Sequence, residues 1–292
     1  MPPTALIFGA AGQDGFYLQE LLQRENVRVI ATSRRDPVLP GDVGDFARVE
    51  ALVAEYRPDY IFHLAANSST RHEVVFENQR SIVDGSLHVL EAAKRHTPQA
   101  RIFLAGSALQ FENRGRPIDE STPFAATSAY SAQRIASVYT ARYYREQHQL
   151  GVYVGYFFHH DSPRRGPHHV AQKVAQAARR IAAGSSEKLE MGSLEVWKEW
   201  TFAGDAMAAI WLLVNQTRYF EAVIGSGDAR SIGDWVAEAF AGLGLDWRQH
   251  VHSTPGFVPE YPKLVSDPAR LRALGWQPQV SFPDLAKLMV RA

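Results

Sequence analysis

The residues of this chain best suited to chemistry are Tyr130 and Arg134, in the stretch Tyr130-Ser-Ala-Gln-Arg134. Residues four apart lie on the same face of a helix, so a helix here would bring phenol and guanidinium together. A phenol can exchange a proton with a substrate oxygen, and a positive charge beside it stabilises the deprotonated form. A tyrosine followed four residues later by a basic residue is also common on ordinary helices, where core and surface positions alternate. Position favours chemistry, because the pair follows a glycine-rich loop by about 120 residues and a strand-like segment ending at Ser107 by about 25.

That glycine-rich loop lies between a strand-like and a helix-like segment, in Gly9-Ala-Ala-Gly-Gln-Asp-Gly15. A pyrophosphate needs backbone N–H groups that approach it without side chains, and a helix N-terminus adds a favourable dipole. Three glycines at this spacing supply both, which predicts a dinucleotide site rather than a structural turn. The cofactor contacts expected from the loop are Gly9, Gly12, Gln13, Asp14 and Gly15.

The second strand ends at Arg34 and Arg35, where an acidic residue usually holds the ribose hydroxyls of NAD. A guanidinium at this position suits the 2′-phosphate of NADP. The pattern predicts NADP as the cofactor, with NAD as the alternative. If the two arginines bind no cofactor, they form a solvated basic turn. Asp42 and Val43 follow where an acidic–hydrophobic pair is expected to contact the adenine.

These groups need elements to position them, and short β-rich segments do alternate with helical patterns. The strand-like segments are residues 5–8, 27–32, 60–64, 102–105 and 152–158, and residues 81–95 repeat apolar side chains at near-helical spacing. This alternation predicts an α/β fold with a Rossmann-type doubly wound parallel sheet. After about residue 162 the pattern changes to Pro-, Gly- and His-bearing loops, followed by a helix over 170–183. We expect a dinucleotide-binding domain over 1–161 and a smaller C-terminal α/β substrate domain over 162–292, with segments around 201–224 as candidates to rejoin the first.

Composition restricts the other function classes. The formal net charge is zero, so nothing favours nucleic acid or an anionic membrane surface as a partner. The chain has no cysteine, which removes disulfides, zinc–thiolate sites and thiol nucleophiles. No metal is expected either, because zinc spacing is not found among His159, His160, His168 and His169. The N-terminus lacks a basic segment before its apolar run, and no run approaches about 18 apolar residues, which predicts a cytoplasmic protein.

Motifs spread over nearly the whole chain carry a resemblance to a known family. They are Gly9-Ala-Ala-Gly-Gln-Asp-Gly15, Leu64-Ala-Ala-Asn67, Glu120-Ser-Thr-Pro-Phe124, Tyr130, His160-Asp-Ser-Pro-Arg-Arg-Gly166 and Leu274-Gly-Trp276. Together they resemble the extended short-chain dehydrogenase/reductases, and most closely the GDP-mannose 4,6-dehydratases and related GDP-sugar reductases. The block that begins at His160 is the most specific part of the likeness.

The resemblance implies a nucleotide-sugar substrate, hydride transfer to or from a nicotinamide, and a homodimer or homotetramer. Tyr130 would exchange the proton, Arg134 would replace a lysine that supplies charge and holds the nicotinamide ribose, and Ser107 would polarise a carbonyl. The implied cofactor contacts also include Leu64, Ala65, Ala66, Tyr130, Arg134 and His159. The implied substrate contacts are His160, Lys173, Lys198 and Glu260.

Departures from the family pattern bear on the reaction. In the dehydratases a threonine assists the sugar hydroxyl and a glutamate removes the C5 proton. Counted back from Tyr130, those positions fall on Gly106 and Ala108, with Ser107 between them. Glycine has no side chain to donate a hydrogen bond and alanine cannot take a proton, so this count argues against 4,6-dehydration.

Two further departures concern the nucleotide. Lys198 stands where the dehydratases have an arginine, and Phe257 lies near the place of an arginine on the diphosphate. Both weaken the case for guanine as the base. We therefore expect an NADP-dependent nucleotide-sugar oxidoreductase, of ketoreductase or epimerase type, acting on an NDP-deoxyhexose. The alternatives are a dehydratase with altered catalytic residues and a non-catalytic dinucleotide-binding sensor or partner protein.

Overall fold

The computed structural model describes residues 1–34, 39–67 and 69–292, so the prediction made for Arg35 lies outside the described residues. The strands are β1 (Thr4–Phe8), β2 (Arg28–Ser33), β3 (Leu39–Pro40), β4 (Tyr60–His63), β5 (Arg101–Ser107), β6 (Gly151–Phe157), β7 (His160–Asp161), β8 (Leu189–Met191), β9 (Trp197–Glu199), β10 (Thr201–Phe202), β11 (Glu221–Ile224), β12 (Ala229–Ser231), β13 (Val251–Ser253) and β14 (Lys263–Leu264). The α-helices are α1 (Gln13–Arg24), α2 (Phe46–Tyr56), α3 (Val75–Asn78), α4 (Gly85–His96), α5 (Ala129–His148), α6 (Val170–Ala182), α7 (Ala203–Val214), α8 (Ile232–Ala241), α9 (Ala269–Ala273) and α10 (Phe282–Arg291).

Seven of the strands in the described part of the chain form one parallel sheet, in the order β11-β6-β5-β4-β1-β2-β3. The predicted Rossmann-type sheet is confirmed, and the five strand-like segments match β1, β2, β4, β5 and β6 to within two residues at each end. Because the strands are parallel, their carboxyl ends meet at one edge. The loops that follow Phe8, His63, Ser107 and Phe157 therefore come together at that edge.

Helices cover both faces of the sheet. One face packs against α2, α4 and α5 through side chains such as Leu52, Leu90 and Val138. The other packs against α1 and α7 through Leu18 and Ile210 among others. The helix predicted over 81–95 belongs to a longer helical segment, in which a π-helical stretch (Gln79–Asp84) joins α3 to α4.

The later part of the chain divides between two cores. Helix α7 packs on the main sheet and β11 pairs with β6 at its edge, so residues 203–224 lie with the first 160 residues. Helices α6, α8 and α10 surround a separate core that contains Trp200, Trp235 and Leu285. The small strand pairings β7–β10, β8–β13 and β12–β9–β14 lie outside the main sheet. Among the described residues, no helix is both long and apolar enough to cross a membrane.

Helix α5, which carries Tyr130 and Arg134, is fixed at two points. At its start, the Ser128 hydroxyl accepts from the backbone N–H of Ser131, and the Ser131 hydroxyl caps Ser128 in return. Further along, the Arg142 guanidinium makes two hydrogen bonds, of 2.8 and 2.7 Å, to the Glu221 carboxylate on β11. Arg145 and the Tyr156 hydroxyl bind the same carboxylate at 3.1 and 2.6 Å.

We expect Glu221→Gln to lower the free energy of unfolding by about 3 kcal/mol, the size found when one member of a buried ion pair is removed. Burial would raise the pKa of Glu221, but the hydrogen bonds from Arg142 and Tyr156 outweigh it and lower the pKa from 4.5 to about 2. The stabilisation is therefore present above pH 4.5 and is lost as the pH falls through about 2. Urea denaturation at pH 7 and at pH 3 measures both effects.

The matched control is Glu187→Gln, because Glu187 pairs with Arg180 at 2.8 Å on the surface. An exposed pair contributes about 0–1 kcal/mol, so this variant should unfold close to the wild type. Equal effects of the two substitutions at pH 7 would contradict the account of Glu221 as the anchor of α5.

Candidate functional site

Two glycines of the loop after β1 are required by close packing. Gly9 has a φ of +91°, and a Cβ there would lie 2.7 Å from the backbone nitrogen of Ala65. A Cβ on Gly15 would lie 2.5 Å from the Cα of Ala10. Only glycine fits both positions, and the loop is thereby held directly against the segment that follows β4.

The start of α1 gives the loop its anion-binding potential. Gly12 is exposed and is the N-cap of this 12-residue helix, with no side-chain hydrogen bond to the first turn. The nearest atom to a Cβ on Gly12 would be the Gly9 carbonyl oxygen at 3.4 Å, so this glycine leaves space where the other two do not. Unpaired N–H groups, a helix dipole and an open approach fit a diphosphate group.

The residues expected at the adenosine end lie close to this loop's edge of the sheet. The Arg34 guanidinium pairs with Glu77 at 2.7 Å, and both side chains are partly exposed. Asp42 accepts from the Gly44 N–H at 2.9 Å and pairs with Arg80 at 3.0 Å, whereas Val43 is buried. Leu64, Ala65 and Ala66 form the partly buried segment against which Gly9 packs.

Tyr130 and Arg134 meet on α5 as the spacing predicts. Arg134 Nε donates to the Tyr130 hydroxyl at 3.2 Å, and Arg134 Nη1 donates to the Ala105 carbonyl on β5 at 2.5 Å. Each side chain is 7% exposed. A guanidinium can only donate, so the Tyr130 oxygen is the acceptor and its own O–H remains available for another partner.

The positive charge of Arg134 affects the protonation of His63, which lies at the carboxyl end of β4. The imidazole is buried, and its Nε2 lies 3.0 Å from the Ser81 carbonyl oxygen, which fixes Nε2 as the protonated nitrogen. Burial and then the positive charge of Arg134 lower the pKa of His63 to about 4. His63 is therefore neutral near pH 7, and the positive charge of this pair belongs to Arg134.

Ser107 ends β5 and caps the short turn that follows it. Its hydroxyl accepts from the Leu109 N–H at 3.3 Å, while its own N–H donates to Gln110 Oε1 at 2.9 Å. Neither of these two hydrogen bonds uses the hydrogen of the Ser107 hydroxyl. Ser107 thus lies at the carboxyl edge of the sheet, where Ala105 and Arg134 connect β5 to α5.

The structure shows how Gly106 and Ala108 pack, the two positions to which the count assigned the dehydratase threonine and glutamate. A Cβ on Gly106 would point into the core, 2.7 Å from Tyr156 Cδ1, and Ala108 is buried in the same core. Both positions therefore lie on the face of the sheet that packs against α5. Residues 106–110 are Gly-Ser-Ala-Leu-Gln, so no carboxylate is present in this turn in any register.

A buried polar cluster follows β6. His159 Nε2 lies 2.6 Å from Asp161 Oδ2, and the His159 ring meets Trp200 edge-on. Burial lowers the pKa of His159 to about 4. Lys198 is 8% exposed, with Nζ 5.2 Å from the Trp200 ring centre, and burial lowers its pKa to about 8. The described residues offer no set of three or more potential ligands arranged for a metal ion.

The other expected substrate residues are more dispersed. His160 is buried and its ring nitrogens lie against Phe158 and Asp14. Lys173 is exposed on α6, with Nζ donating to the Glu190 carbonyl at 2.6 Å. Glu260 is exposed on the loop before β14. The cluster of His159 and Lys198 is brought together, whereas Lys173 and Glu260 are not shown in contact with it.

Sequence reasoning missed contacts between two of its own motifs. The Ser162 hydroxyl donates to Gln13 Oε1 at 2.8 Å, and the Arg164 guanidinium carbon lies 3.5 Å from the Phe16 ring centre. The segment after β6 therefore covers the start of α1. The sequence shows that the glycine-rich loop and the block beginning at His160 occur in one chain, but it does not show that they are in contact.

The chain is similar to known proteins over most of its length. The family model described as GDP-mannose 4,6 dehydratase matches residues 37–289. GDP-mannose 4,6 dehydratase 2 of Arabidopsis thaliana is 31% identical over 318 residues, which cover 98% of this chain and 85% of the relative.

Solved structures share the fold. RMD from Pseudomonas aeruginosa, complexed with NADPH, superposes with a TM-score of 0.88 at 18% identity, covering 100% of this chain and 97% of the other. The UDP-glucose 4-epimerase of Thermus thermophilus, in complex with NAD, gives a TM-score of 0.86 at 22% identity, with 99% of this chain and 98% of the other covered.

The packing of Gly9 against Ala65 can be tested by substitution. Gly9→Ala should lower the free energy of unfolding by about 2 kcal/mol or more, because alanine would be strained at positive φ and would clash with backbone. Gly12→Ala is the matched control and should change it by less than about 0.5 kcal/mol. Urea denaturation of both variants measures the difference, and equal stability would contradict the packing of this loop on Ala65.

Proposed function

This chain belongs to the GDP-mannose 4,6-dehydratase family, and we propose that it is an NADP-dependent nucleotide-sugar oxidoreductase that reduces a keto-sugar, with epimerisation through a keto intermediate as the related possibility. The proposed substrate is an NDP-linked deoxyhexose, with GDP favoured by the family. The observation that carries the proposal is the hydrogen bond from Arg134 Nε to the Tyr130 hydroxyl. It leaves the phenol as a proton donor beside a permanent cation.

The residues present fit a reduction. A bound nicotinamide would supply the hydride to the carbonyl carbon of the sugar. Tyr130 donates its proton to the carbonyl oxygen, which gives the alcohol, and Arg134 stabilises the resulting phenolate. Ser107, at the end of β5, would donate a second hydrogen bond to the same oxygen. Arginine does not release a proton near neutral pH, so Tyr130 would be reprotonated from solvent or substrate rather than through Arg134.

Dehydration is the competing reaction, because the family is named for it. It requires a base to remove the C5 proton, and loss of a general base typically lowers the rate by about a hundred- to ten-thousandfold. The turn at residues 106–110 has no carboxylate. This absence favours reduction over dehydration.

Two features support the ligands. Arg34 suits the 2′-phosphate of NADP, which would replace the Glu77 carboxylate in the present ion pair. Lys198, buried over Trp200 beside the His159–Asp161 pair, would place positive charge on the diphosphate of the sugar nucleotide. Both interactions would be charge-assisted.

Tyr130→Phe should reduce keto-sugar reduction by about a hundred- to ten-thousandfold, because only the proton donor is removed. Its affinity for NADPH should stay near that of the wild type. Arg134→Lys should retain or raise activity, since lysine keeps the charge and matches the family geometry. The assay follows NADPH absorbance with a panel of 4-keto nucleotide sugars.

Tyr139→Phe is the matched control, because Tyr139 is 58% exposed on the same helix. It should leave turnover and cofactor binding unchanged. Full activity in Tyr130→Phe would sink the catalytic role of the phenol. If wild type and Arg134→Lys bind NADPH but reduce no sugar in the panel, a non-catalytic binding protein becomes the better account.

Arg34→Ala should weaken NADPH binding by about ten- to a hundredfold, the size expected for one charge-assisted hydrogen bond to phosphate. NADH binding should change little and is the internal control. Glu77→Gln should instead strengthen NADPH binding, because the 2′-phosphate then no longer competes with the Glu77 carboxylate for Arg34. Fluorescence titration of both cofactors measures all three proteins, and unchanged NADPH affinity in both variants would exclude Arg34 from the site.

A further inference from the structure

The segment that follows β6 contacts the start of α1 through its side chains. Ser162 donates to Gln13 at 2.8 Å, and His160 Nε2 lies 3.0 Å from Asp14 Oδ1. Gln13 Nε2 also lies 3.1 Å from Asp14 Oδ1 and 3.5 Å from the His160 carbonyl oxygen. We call these four residues, Gln13, Asp14, His160 and Ser162, the clasp.

The partners of His160 determine its charge. Nδ1 lies 2.9 Å from the Phe158 carbonyl oxygen, which can only accept. Nε2 faces Asp14, which also accepts from the Gln13 amide. An ionised carboxylate accepts only, so both ring nitrogens must carry hydrogen. The arrangement is that of an imidazolium paired with a carboxylate.

The surrounding charges agree with this assignment. Burial would raise the pKa of Asp14, but the charge and hydrogen bond of His160 outweigh it and lower the pKa to about 2. Burial would lower the pKa of His160, and the charge and hydrogen bond of Asp14 reverse this and raise the pKa above 6.5. Arg165 is the other charged group facing both side chains, and it lowers the pKa of each. The Phe157 ring covers the imidazole, with ring centres 4.9 Å apart.

Asp14 lies in the first turn of α1, beside the N–H groups proposed to bind the cofactor diphosphate. A carboxylate there without a counter-charge would repel a diphosphate. We infer that His160 is a positioning residue for the cofactor loop: as an imidazolium it neutralises Asp14 and holds it in the clasp. This inference rests on the proposed cofactor binding and adds a dependence of affinity on the charge of His160.

The pH window follows from the two groups. The contribution of His160 is complete below pH 6.5 and is lost as the pH rises through its raised pKa. The contribution of Asp14 is complete above pH 3.8 and is lost as the pH falls through about 2. Both groups are therefore charged between pH 3.8 and pH 6.5, and as the pH rises above this window His160 is the group of the pair that loses its charge.

NMR of the full chain labelled with ¹⁵N-histidine tests the charge directly. His160→Gln assigns the signal, and wild-type His160 should show two protonated ring nitrogens at pH 6.5. Asp14→Asn should move its titration midpoint to lower pH, because the carboxylate that favours the imidazolium is gone. A neutral His160 tautomer at this pH, or a midpoint unmoved in Asp14→Asn, would overturn the assignment. If His160→Gln folds poorly, the signal whose titration midpoint moves in Asp14→Asn identifies His160 instead.

Titration with NADPH across the same pH range tests the effect on the cofactor. Wild-type affinity should fall by about ten- to a hundredfold as the pH rises through the NMR midpoint, the size of losing one charged hydrogen bond. His160→Gln should bind weakly, without that transition. Lys198, whose pKa is lowered to about 8, titrates in both proteins and cancels in their difference.

Parallel profiles in the two proteins would overturn the inference while leaving the proposed function intact. The absence of NADPH and NADH binding at every pH would instead refute the proposed function itself, whatever the charge of His160. The two failures are therefore distinguishable.

Discussion

A buried guanidinium between a phenol and a strand carbonyl is the interaction on which the site depends. Arg134 is 7% exposed, and its charge is accommodated by hydrogen bonds to Tyr130 and to the Ala105 carbonyl. A buried charge without such partners would cost several kcal/mol. The position of α5 relative to β5 is therefore tied to the geometry of the Tyr130 phenol.

Other features of the fold maintain that position. The Ser128 capping box fixes where α5 begins, and the Glu221 carboxylate holds the far part of the helix to β11. The return of the chain to the main sheet at β11 is thus part of how the site is built. On the opposite side of the edge, the tight packing of Gly9 on Ala65 holds the cofactor loop. The Tyr130–Arg134 pair and the start of α1 are both placed by the packing of the first 160 residues.

The sequence was sufficient for the parallel sheet, because β-branched and apolar segments alternate with helical periodicity over the first 160 residues. It also predicted the contact of Tyr130 with Arg134, which follows from helical spacing alone. The count that gave Gly106 and Ala108 the positions of the dehydratase threonine and glutamate stays a prediction. The packing of both residues in the core could not be read from the sequence, because a count along the chain does not fix which face of a strand end each residue takes. The contacts of His160 with Asp14 and of Glu221 with Arg142 join residues 146 and 79 positions apart, and no local pattern encodes such pairs.

The central claim is that a tyrosine held by arginine, with no carboxylate in the turn after β5, performs reduction rather than dehydration. The most direct measurement supplies the protein with GDP-mannose and NADP in one reaction and with GDP-4-keto-6-deoxymannose and NADPH in another. The products of both reactions are followed by mass and by cofactor absorbance. The account predicts that each keto-sugar reduced consumes one NADPH, while GDP-mannose remains unchanged. Conversion of GDP-mannose to the keto-sugar without net change in cofactor, together with no oxidation of NADPH, would contradict it.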